Sequence, residues 1–344
     1  MLIGYSFWGF LGPGIRDTPD GGRSHRRTLV DGLRARGHDI VFLQANRDLL
    51  EAGDDLAGRY RWDSGLPELD ALFLEWRWPI PGRNTTACGS AGHTCDLHRQ
   101  QQLLDHYAAR GTRTLLWDKD RQLPPEDRLR RVGDVVVCEP ALHPTPGAVS
   151  LLFPVANDAL DRADPPALTA GSRDLPLVYV GNQYDRNDAF DRYFAPAARA
   201  HTHLIAGKWP RTGRWPDLNF HGRIPFTDIE PLYRRSQTTV LLLPDRYVHV
   251  GQMTQRLFEA VLAGCLPLTP TSIRDAVKFT PTGLHITDGY EAASKIEKLR
   301  TADGSQRAAL LQGCLDRLDL FRLSRQLDVI DHALADLAAQ RVGR

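Results

Sequence analysis

The sequence predicts two α/β domains in tandem, each built around a parallel sheet, followed by a helical tail. Short apolar runs such as ALFLE and DVVVC lack polar alternation, which indicates strands buried on both faces. Helix-like segments separate these runs, as parallel crossover connections require. The chain has 344 residues, enough for two domains of about 150 to 180 residues each.

The first domain is predicted to cover residues 1–160. Its strand candidates are MLIGYSFW, DIVFLQA, ALFLEWR, TRTLLWDKD, DVVVCE and VSLLFPVA. Amphipathic helices are predicted at SHRRTLVDGLRARGH and DLHRQQQLLDHYAARG. An Asp-, Ala- and Pro-rich stretch follows, and residues 161–174 within it are predicted to be an interdomain linker.

The second domain is predicted to cover residues 175–322 and repeats the same alternation. Its strand candidates are LPLVYVGN, HLIAGKW, NFHGRI, TTVLLLPD and CLPLTP, and its helix candidates are DAFDRYFAPAARA, DIEPLYRRSQ and QMTQRLFEAVLAG. Residues 323–344 are predicted to form a C-terminal helix that packs back on the first domain. Each domain is therefore expected to be Rossmann-like.

The composition is that of an ordinary globular protein, with 42% hydrophobic and 25% charged residues. A net charge of +1 excludes a global field that would draw the chain to nucleic acid or membrane. The apolar start lacks a basic leader, and no apolar run reaches the roughly 18 residues of a membrane helix. With five cysteines, an odd count, these features favour a cytoplasmic protein with no membrane span.

The loop GFLGPGIRDTPDGGRSH follows the first strand, at the sheet edge where open parallel sheets bind ligands. It is too long for the compact GxGxxG turn, which argues against a dinucleotide site. Gly21 and Gly22 would let backbone N–H groups approach an anionic or hydroxyl-rich ligand. A flexible surface loop explains these glycines equally well. With Arg16 they remain candidate acceptor-binding residues.

A second candidate site lies at QRLFEAVLAGCLPLTP, where a helix over residues 253–263 is predicted. Its N-terminal N–H groups would suit a phosphate, and Glu259 lies close enough to accept hydrogen bonds from a ribose. Arg256 could neutralise phosphate or pair with Glu259. A simple salt bridge on a surface helix is disfavoured because LFEAVLAGCLPL is too apolar for a surface position.

This helix resembles the nucleotide-sugar site of GT-B glycosyltransferases, most closely the spore-maturation-type, group 1 branch. The resemblance rests on Arg-x-Phe-Glu-Ala followed by Gly-x-x-Pro, and extends to LVYVGNQYDRNDAF, IAGKW and NFHGRIPFTDIEPLYRRSQTTVLL. In the first domain, DGGRSHRRTLVDGLRARGHDIVFLQ resembles the family's Gly-Gly loop, helix and following strand. The match is good over 175–270 and weak over 46–170.

The resemblance implies a GT-B fold, with two Rossmann-like domains, a deep interdomain cleft and a helical C-terminal tail. It implies a metal-independent hexosyltransferase that moves a sugar from a nucleoside-diphosphate sugar to an acceptor hydroxyl. A UDP-sugar is the expected co-substrate, with no other cofactor. The residues it assigns to donor binding are Gly181, Asn182, Arg186, Lys208, Arg223, Gly251, Gln252, Met253, Thr254, Arg256 and Glu259.

Within this set, the resemblance places Glu259 on the ribose hydroxyls and Arg256 on the diphosphate. Arg186 and Lys208 would offset the charge of the leaving group, although each could equally be a solvated surface charge. Many retaining GT-B enzymes carry a second glutamate eight residues before the first, and that position is Gly251 here. Whether the enzyme retains or inverts the anomeric configuration therefore stays open.

An inverting enzyme needs a base for the acceptor proton. Asp118 follows an apolar strand directly and is the first candidate, followed by Glu75 and Asp20. For Asp118, a structural role as a cap or a loop salt bridge is favoured over catalysis.

The stretch CGSAGHTCDLH places Cys88, His93, Cys95 and His98 within eleven positions. Their spacing matches no common zinc motif, so two ordinary thiols are favoured and no metal site is predicted. His98 is instead a candidate for the acceptor side. Trp76 is a second one, because aromatic faces are sugar or base platforms, but a core position is equally expected.

Three functions remain open alongside the leading interpretation. The chain length and the clusters Arg23-Arg26-Arg27 and Arg128-Arg130-Arg131 are compatible with a phage-type DNA glycosyltransferase acting on hydroxymethylated pyrimidines. A nucleotide-sugar epimerase and an inactive nucleotide-sugar-binding protein would share the fold. The acceptor itself, whether glycan, protein, small molecule or modified DNA, is not identified by the sequence.

Overall fold

A computed structural model describes residues 1–14 and 22–342 of the chain, with side chains described to residue 339. The described chain divides into two compact α/β units. The first comprises Met1–Gly12, Arg26–Leu152 and residues 323–342. The second comprises residues 13–14, residues 22–25 and Phe153–Arg322.

The first unit is built on a parallel sheet with the strand order β3-β2-β1-β4-β5-β6-β7. Its strands are β1 (Leu2–Ser6), β2 (Asp39–Phe42), β3 (Arg61–Trp62), β4 (Ala71–Glu75), β5 (Arg113–Trp117), β6 (Val135–Glu139) and β7 (Val149–Ser150). Its helices are α1 (Arg23–Ala35), whose first three residues are grouped with the second unit, α2 (Arg47–Ala52), α3 (Asp96–Ala108) and α13 (Leu323–Val342). All six predicted strands have a counterpart, whereas β3 is too short for its pattern to be visible in the sequence.

Helices cover both faces of this sheet. Leu103 and Tyr107 of α3 pack into a core with Leu72 and Leu116 from the strands, and the rings of Tyr5 and Phe73 stack at 4.8 Å elsewhere in the sheet. The C-terminal helix α13 belongs to this unit and contacts β5. Every residue of β4 is buried, as expected for a strand covered on both faces.

Two further contacts seat the C-terminal helix. The side chain of Gln326 accepts a hydrogen bond from the backbone N–H of Leu152 at 2.8 Å. A Cβ added to Gly32 of α1 would lie 2.9 Å from the side chain of Leu323, so the two helices approach closely at this glycine. These contacts connect the last helix to the body of the first unit.

The second unit has a parallel sheet with the strand order β10-β9-β8-β11-β12-β13. Its strands are β8 (Leu175–Val180), β9 (His203–Ala206), β10 (Phe220–Gly222), β11 (Ser236–Val240), β12 (Leu266–Pro270) and β13 (His285–Ile286). Its helices are α4 (Asn157–Asp161), α5 (Pro165–Ala170), α6 (Asn187–Ala189), α7 (Ala195–Ala200), α8 (Ile229–Arg235), α9 (Asp245–Val248), α10 (Arg256–Leu262), α11 (Gly289–Thr301) and α12 (Gly304–Leu318). A π-helical turn, Phe190–Phe194, joins α6 to α7.

The segment 161–174, predicted to be an interdomain linker, contains a short helix and is grouped with the second unit. It contains α5, whose two leading prolines lie at the helix start, where a missing N–H costs nothing. Asp164 caps this helix by accepting from the N–H of Ala167. The guanidinium of Arg173 donates to the carbonyl oxygens of Tyr233 and Ala263, so the segment is part of the second unit.

Among the described residues, no helix combines the length and apolar character needed to cross a membrane.

Candidate functional site

The carboxyl ends of β8 and β9 form a rigid pair of loops in the second unit. Gly181 follows β8, and its N–H donates to Ala206 at 2.8 Å while its carbonyl accepts from the Trp209 indole at 2.8 Å. The side chain of Asn182 accepts from the N–H of Lys208 at 2.8 Å. Three of the predicted donor residues, Gly181, Asn182 and Lys208, therefore meet at one edge of the sheet.

Arg256, at the start of α10, reaches the same edge. Its Nε donates to the carbonyl of Val180 at 2.5 Å, and its Nη1 contacts the Thr254 hydroxyl at 3.3 Å. A Cβ added to Gly181 would lie 2.6 Å from Arg256 Nε, so only glycine leaves room for this guanidinium. The sequence-predicted residues Gly181, Thr254 and Arg256 are thus direct neighbours.

Glu259 lies one turn further along α10, and Ser24 Oγ donates a hydrogen bond to its Oε1. Burial raises the pKa of Glu259, and the Ser24 hydrogen bond and the charge of Arg256 offset this only in part. For Arg256, burial lowers the pKa, but Tyr179, Tyr233 and Glu259 outweigh it and the pKa is raised. A carboxyl group and a permanent cation therefore stand together on one helix turn.

Arg186 is buried and not at the surface. Its Nη1 donates to the Tyr179 hydroxyl at 2.6 Å, and its Nε donates to the carbonyl of Tyr184 at 2.8 Å. Burial lowers the pKa of Arg186, with Tyr179 acting against it. Arg186 is therefore not the solvated charge considered as an alternative. It supports the Tyr179 ring, which lies 5.7 Å from the Arg256 guanidinium.

Lys208 differs from Arg186 because its side chain is exposed. No ion pair holds its ammonium within the described part of the chain. At the end of the neighbouring strand β10, Arg223 is half-buried, and desolvation lowers its pKa. The carboxyl edge of this sheet is accordingly lined by cations.

The segment before α10 is a buried turn. The helix begins at Arg256, three residues later than predicted, and Gln252 and Met253 are 0% and 1% exposed. Gly251 has φ 60°, a left-handed conformation that suits glycine and would strain a glutamate. The structure thus gives a conformational reason for the glycine that stands where many retaining GT-B enzymes have their second glutamate.

The N-terminal glycine loop is described only at its ends. Gly22 accepts from the N–H of His25 at 3.2 Å at the start of α1, and the Arg23 guanidinium lies 4.8 Å from the ring centre of Phe226. These residues are grouped with the second unit, although the sequence placed the whole loop in the first domain. The remaining candidates of this loop, Arg16, Asp20 and Gly21, lie outside the described residues.

The first candidate base, Asp118, closes a turn after β5. Its Oδ1 accepts from the N–H of Gln122 at 3.0 Å and its Oδ2 from the N–H of Leu123 at 2.8 Å. The side chain is fully buried, and burial raises its pKa to about 6. With both oxygens engaged by backbone, Asp118 has the geometry of a turn cap.

Glu75, the second candidate base, lies in a buried ion-pair network. Oε1 accepts from the Tyr5 hydroxyl and from Arg26 Nε, both at 2.8 Å. Oε2 accepts from Arg26 Nη2 at 2.8 Å and from Lys119 Nζ at 2.5 Å. The pairing of Glu75 with Arg26 and Lys119 was not predicted from the sequence, although Lys119 follows β5, the strand directly paired with β4. Glu75 has the contacts of a structural anion.

In each of the two arginine clusters, one member is held in a buried ion pair. Arg26 is fully buried against Glu75, and Arg130 pairs with the buried Glu139 at 2.8 Å. Glu139 also accepts from Arg121 and from the N–H of Thr145, and this second buried carboxylate was not predicted from the sequence. A signal for it existed in the position of Glu139, which ends the apolar strand β6.

Of the two remaining candidates, Trp76 packs partly buried against the core of the first unit, which supports its core interpretation. His98 is exposed in the first turn of α3, and its Nδ1 lies 3.2 Å from Cys88 Sγ.

A depression of about 720 Å³ lies at the opposite edge of the first sheet, lined among others by Asp70, Tyr107 and Arg113. Asp70 precedes β4 and Arg113 begins β5, so the depression is at the amino ends of the strands. Ligands of open parallel sheets bind at the carboxyl ends, and this depression is not assigned a role.

No protein-family profile and no curated protein sequence matches the chain, but solved structures match it along nearly its whole length. T4 phage β-glucosyltransferase gives a TM-score of 0.64 at 12% identity over 97% of this chain and 99% of that chain. The α,α-trehalose 6-phosphate synthase of Burkholderia multivorans gives 0.57 at 13% identity over 98% and 99%. Anabaena HepE in complex with UDP-glucose gives 0.57 at 12% identity over 97% and 99%.

These are GT-B structures, and the predicted fold, two Rossmann-like α/β domains with a C-terminal helix, is confirmed. The likeness does not select the spore-maturation-type branch among them.

Proposed function

We propose that the protein is a glycosyltransferase that moves a sugar from a nucleoside-diphosphate sugar to an acceptor hydroxyl, with a UDP-sugar as the donor. The observation that carries the proposal is the convergence of Gly181, Arg256 and Glu259 in the second unit. The resemblance assigns these positions to the donor, and structures with the same fold include one bound to UDP-glucose.

In this proposal the ribose, the diphosphate and the base of the donor are each bound by a different group of side chains. The carboxylate of Glu259 accepts hydrogen bonds from the ribose hydroxyls. Arg256 and the exposed Lys208 lie toward the diphosphate and offset its charge as the bond to the sugar breaks. Arg223, Phe226 and the loop between them are assigned to the base. Charge neutralisation is given to side chains and not to a bound metal.

The reaction is the displacement of a nucleoside diphosphate. The acceptor oxygen forms a bond to the anomeric carbon, the bond from that carbon to the diphosphate oxygen breaks, and the diphosphate leaves with the electron pair. The acceptor proton passes to a base or to the leaving diphosphate. Asp118 and Glu75 are both occupied by structural hydrogen bonds. Among the catalytic candidates, Asp20 therefore becomes the first to test.

The donor half of the proposal is tested by thermal shift with UDP-, GDP-, ADP- and dTDP-sugars, because a ligand that binds only the folded state raises its apparent stability. A shift with one nucleotide class is expected, and it should be lost in Arg256→Met. The control Arg234→Met removes an exposed arginine that pairs with Glu230 on α8. No shift with any donor, or equal shifts in both variants, would overturn the donor site.

The transfer half is tested by nucleoside-diphosphate release with and without acceptors. Release that depends on an acceptor supports a transferase. A changed sugar without any acceptor would favour the epimerase, and binding without turnover would favour an inactive nucleotide-sugar-binding protein.

DNA as the acceptor is a second candidate, favoured by one observation. A DNA-modifying β-glucosyltransferase matches with a TM-score of 0.63 over 97% of this chain and 100% of that chain. The buried Arg26 and the paired Arg130 weaken the argument from arginine clusters. Hydroxymethylated duplex DNA, compared with unmodified DNA of the same sequence, decides this candidate. Equal nucleotide release with both would exclude it.

A further inference from the structure

Four potential metal ligands meet in the loop between β4 and α3 of the first unit. The side chains of Cys88, His93, Cys95 and His98 bring one ligand atom each to within 4.8 Å of the others. His93 is half-buried, and the other three are exposed. The spacing along the sequence matches no common zinc motif, so the grouping comes from the fold of the loop.

Glycine turns produce the grouping. Gly89 and Gly92 have φ 83° and 75°, left-handed conformations with open space where a Cβ would be. The N–H of His93 donates to Ser90 at 3.0 Å, and the N–H of Thr94 donates to Arg83 at 3.0 Å. The loop therefore folds back on itself and brings the side chain of His93 close to that of Cys88.

The start of α3 supplies the other two ligands. Cys95 is the residue that caps α3, and His98 lies three positions later, on the same side of the first turn. The neighbouring Asp96 is buried, and it accepts hydrogen bonds from Thr94 Oγ1 at 3.0 Å and from Asn84 Nδ2 at 3.3 Å. This carboxylate fixes the helix start on which Cys95 and His98 are carried.

The imidazole of His93 is oriented as a metal ligand would be. Its Nδ1 is 3.0 Å from Thr86 Oγ1, the outer hydrogen bond that usually fixes a ligand histidine. Its Nε2 is buried, and in the described residues it has no hydrogen-bond partner. A buried nitrogen without a partner requires an explanation, and an ion at Nε2 provides one.

We propose that Cys88, His93, Cys95 and His98 bind a Zn²⁺ ion. Two thiolates and two imidazoles are a donor set that zinc takes in tetrahedral geometry, with Zn–S near about 2.3 Å and Zn–N near about 2.0–2.1 Å. Ligand atoms on such an ion lie about 3.3–3.8 Å from one another, so the present separations of up to 4.8 Å need to close by about 1.5 Å at most. The Cys88 Sγ to His98 Nδ1 distance of 3.2 Å is already that short.

Zinc binds cysteine as the thiolate and histidine as the neutral imidazole, so binding would release the thiol protons of Cys88 and Cys95. Four protein ligands also leave no open position, which is typical of structural zinc and not of catalytic zinc.

The ion would tie residues 88–98 into one rigid loop. This loop leaves the carboxyl end of β4, the edge of a parallel sheet at which ligands bind, and enters α3. The inference is independent of the proposed function, since it concerns the order of a loop and not a step of the reaction. It also replaces the predicted role of His98 at the acceptor with a ligand role.

The first test is the metal content of the full-length protein, purified under reducing conditions and measured by inductively coupled plasma mass spectrometry. One zinc per chain is expected in the unmodified protein and in His332→Gln, which removes an exposed histidine on α13. Zinc should be lost in Cys88→Ser/Cys95→Ser and in His93→Gln. Equal zinc in the ligand variants and the control would overturn the site.

A second test replaces zinc with Co²⁺ in the unmodified protein, so its result does not depend on whether the variants fold. After chelation, the unmodified protein is titrated with Co²⁺ alone. Strong visible bands of tetrahedral Co²⁺ and a thiolate charge-transfer band are expected at one equivalent. The weak spectrum of octahedral Co²⁺, or a Cys88–Cys95 disulfide in freshly purified protein that binds no metal after reduction, would overturn it.

Discussion

Ser24 donates a hydrogen bond to Glu259 across 235 positions of sequence, both residues belonging to the second unit. In the proposed function, the ribose hydroxyls donate hydrogen bonds to the carboxylate of Glu259. The Ser24 hydroxyl donates to that same carboxylate in the structure. Substitutions of Glu259 and of Ser24 are therefore expected to change donor affinity differently. Glu259 is the group that binds, and Ser24 is a hydroxyl that the ribose would have to replace.

We expect Glu259→Gln to weaken UDP binding by about tenfold to a hundredfold, because a hydrogen bond to a charged group contributes about 1.5–3 kcal/mol. Ser24→Ala should leave the affinity unchanged or raise it. Isothermal titration calorimetry with UDP measures both. Weakening by Ser24→Ala to the same degree as by Glu259→Gln would show that Ser24 itself is part of the donor contact.

The pH dependence of binding provides a second test of Glu259. Its pKa is raised by burial, so the carboxylate needed for the ribose is lost at a higher pH than for an ordinary glutamate. UDP affinity should therefore fall as the pH falls through the range above the usual glutamate pKa. The Glu259→Gln variant shares the titration of the UDP phosphates, so the difference between the two proteins isolates the carboxyl group. Parallel profiles would contradict the assignment.

Gly181→Ala should weaken UDP binding by about tenfold or more, because the added Cβ lies 2.6 Å from Arg256 Nε and displaces the guanidinium. Overpacking of this kind also costs about 1–3 kcal/mol of stability. Gly213→Ala is the matched control, since a Cβ at this exposed glycine meets no atom within 4 Å. Unchanged affinity in Gly181→Ala would separate Arg256 from the donor site.

Asp118 should make the protein less stable as the pH rises from about 4 to about 6. Its pKa is raised from the ordinary 3.8 to about 6 in the folded state, so the folded chain holds the proton that the unfolded chain releases in this window. The stability gained from the protonated group is complete below the unfolded pKa and is lost as the pH passes the folded pKa. Two pKa units correspond to about 3 kcal/mol.

Urea unfolding of the protein and of Asp118→Asn across this window measures the effect. The free energy of unfolding of the unmodified protein should fall relative to that of the variant as the pH rises. Turnover should survive in Asp118→Asn, because both oxygens of Asp118 bind backbone and not substrate. Loss of turnover with parallel unfolding profiles would instead identify Asp118 as the base.

Glu75→Gln should destabilise the first unit by about 3–5 kcal/mol, because it removes the buried carboxylate to which Arg26 and Lys119 both donate. The control Asp328→Asn breaks an exposed pair with Arg36, for which about 1 kcal/mol or less is expected. Urea unfolding compares the two variants. If Glu75→Gln costs no more than the control and abolishes turnover, Glu75 acts in catalysis and not in folding.

Sequence alone determined the fold class of this protein. Strands such as β4 and β8 are buried on both faces, and a run of apolar residues reports that burial directly. The helix α10 was visible in the same way, though its start was displaced by three residues because Gln252 and Met253 are buried without being helical. The helix α5 inside the predicted linker was not visible, because composition does not distinguish a proline-led helix from a loop.

Only the tertiary structure decided which polar groups meet. The sequence around Asp118 does not show that this residue caps a turn. In the same way, the neighbouring sequence does not show that Glu75 binds two cations or that Arg186 is buried against Tyr179. The grouping of Cys88 with His98 is likewise made by the fold of a loop. The physical reason is that a helix or strand buries many apolar side chains close together in the sequence, and these recur with the period of that element. Hydrogen bonds and ion pairs join single atoms from distant segments, and the sequence carries no period for them.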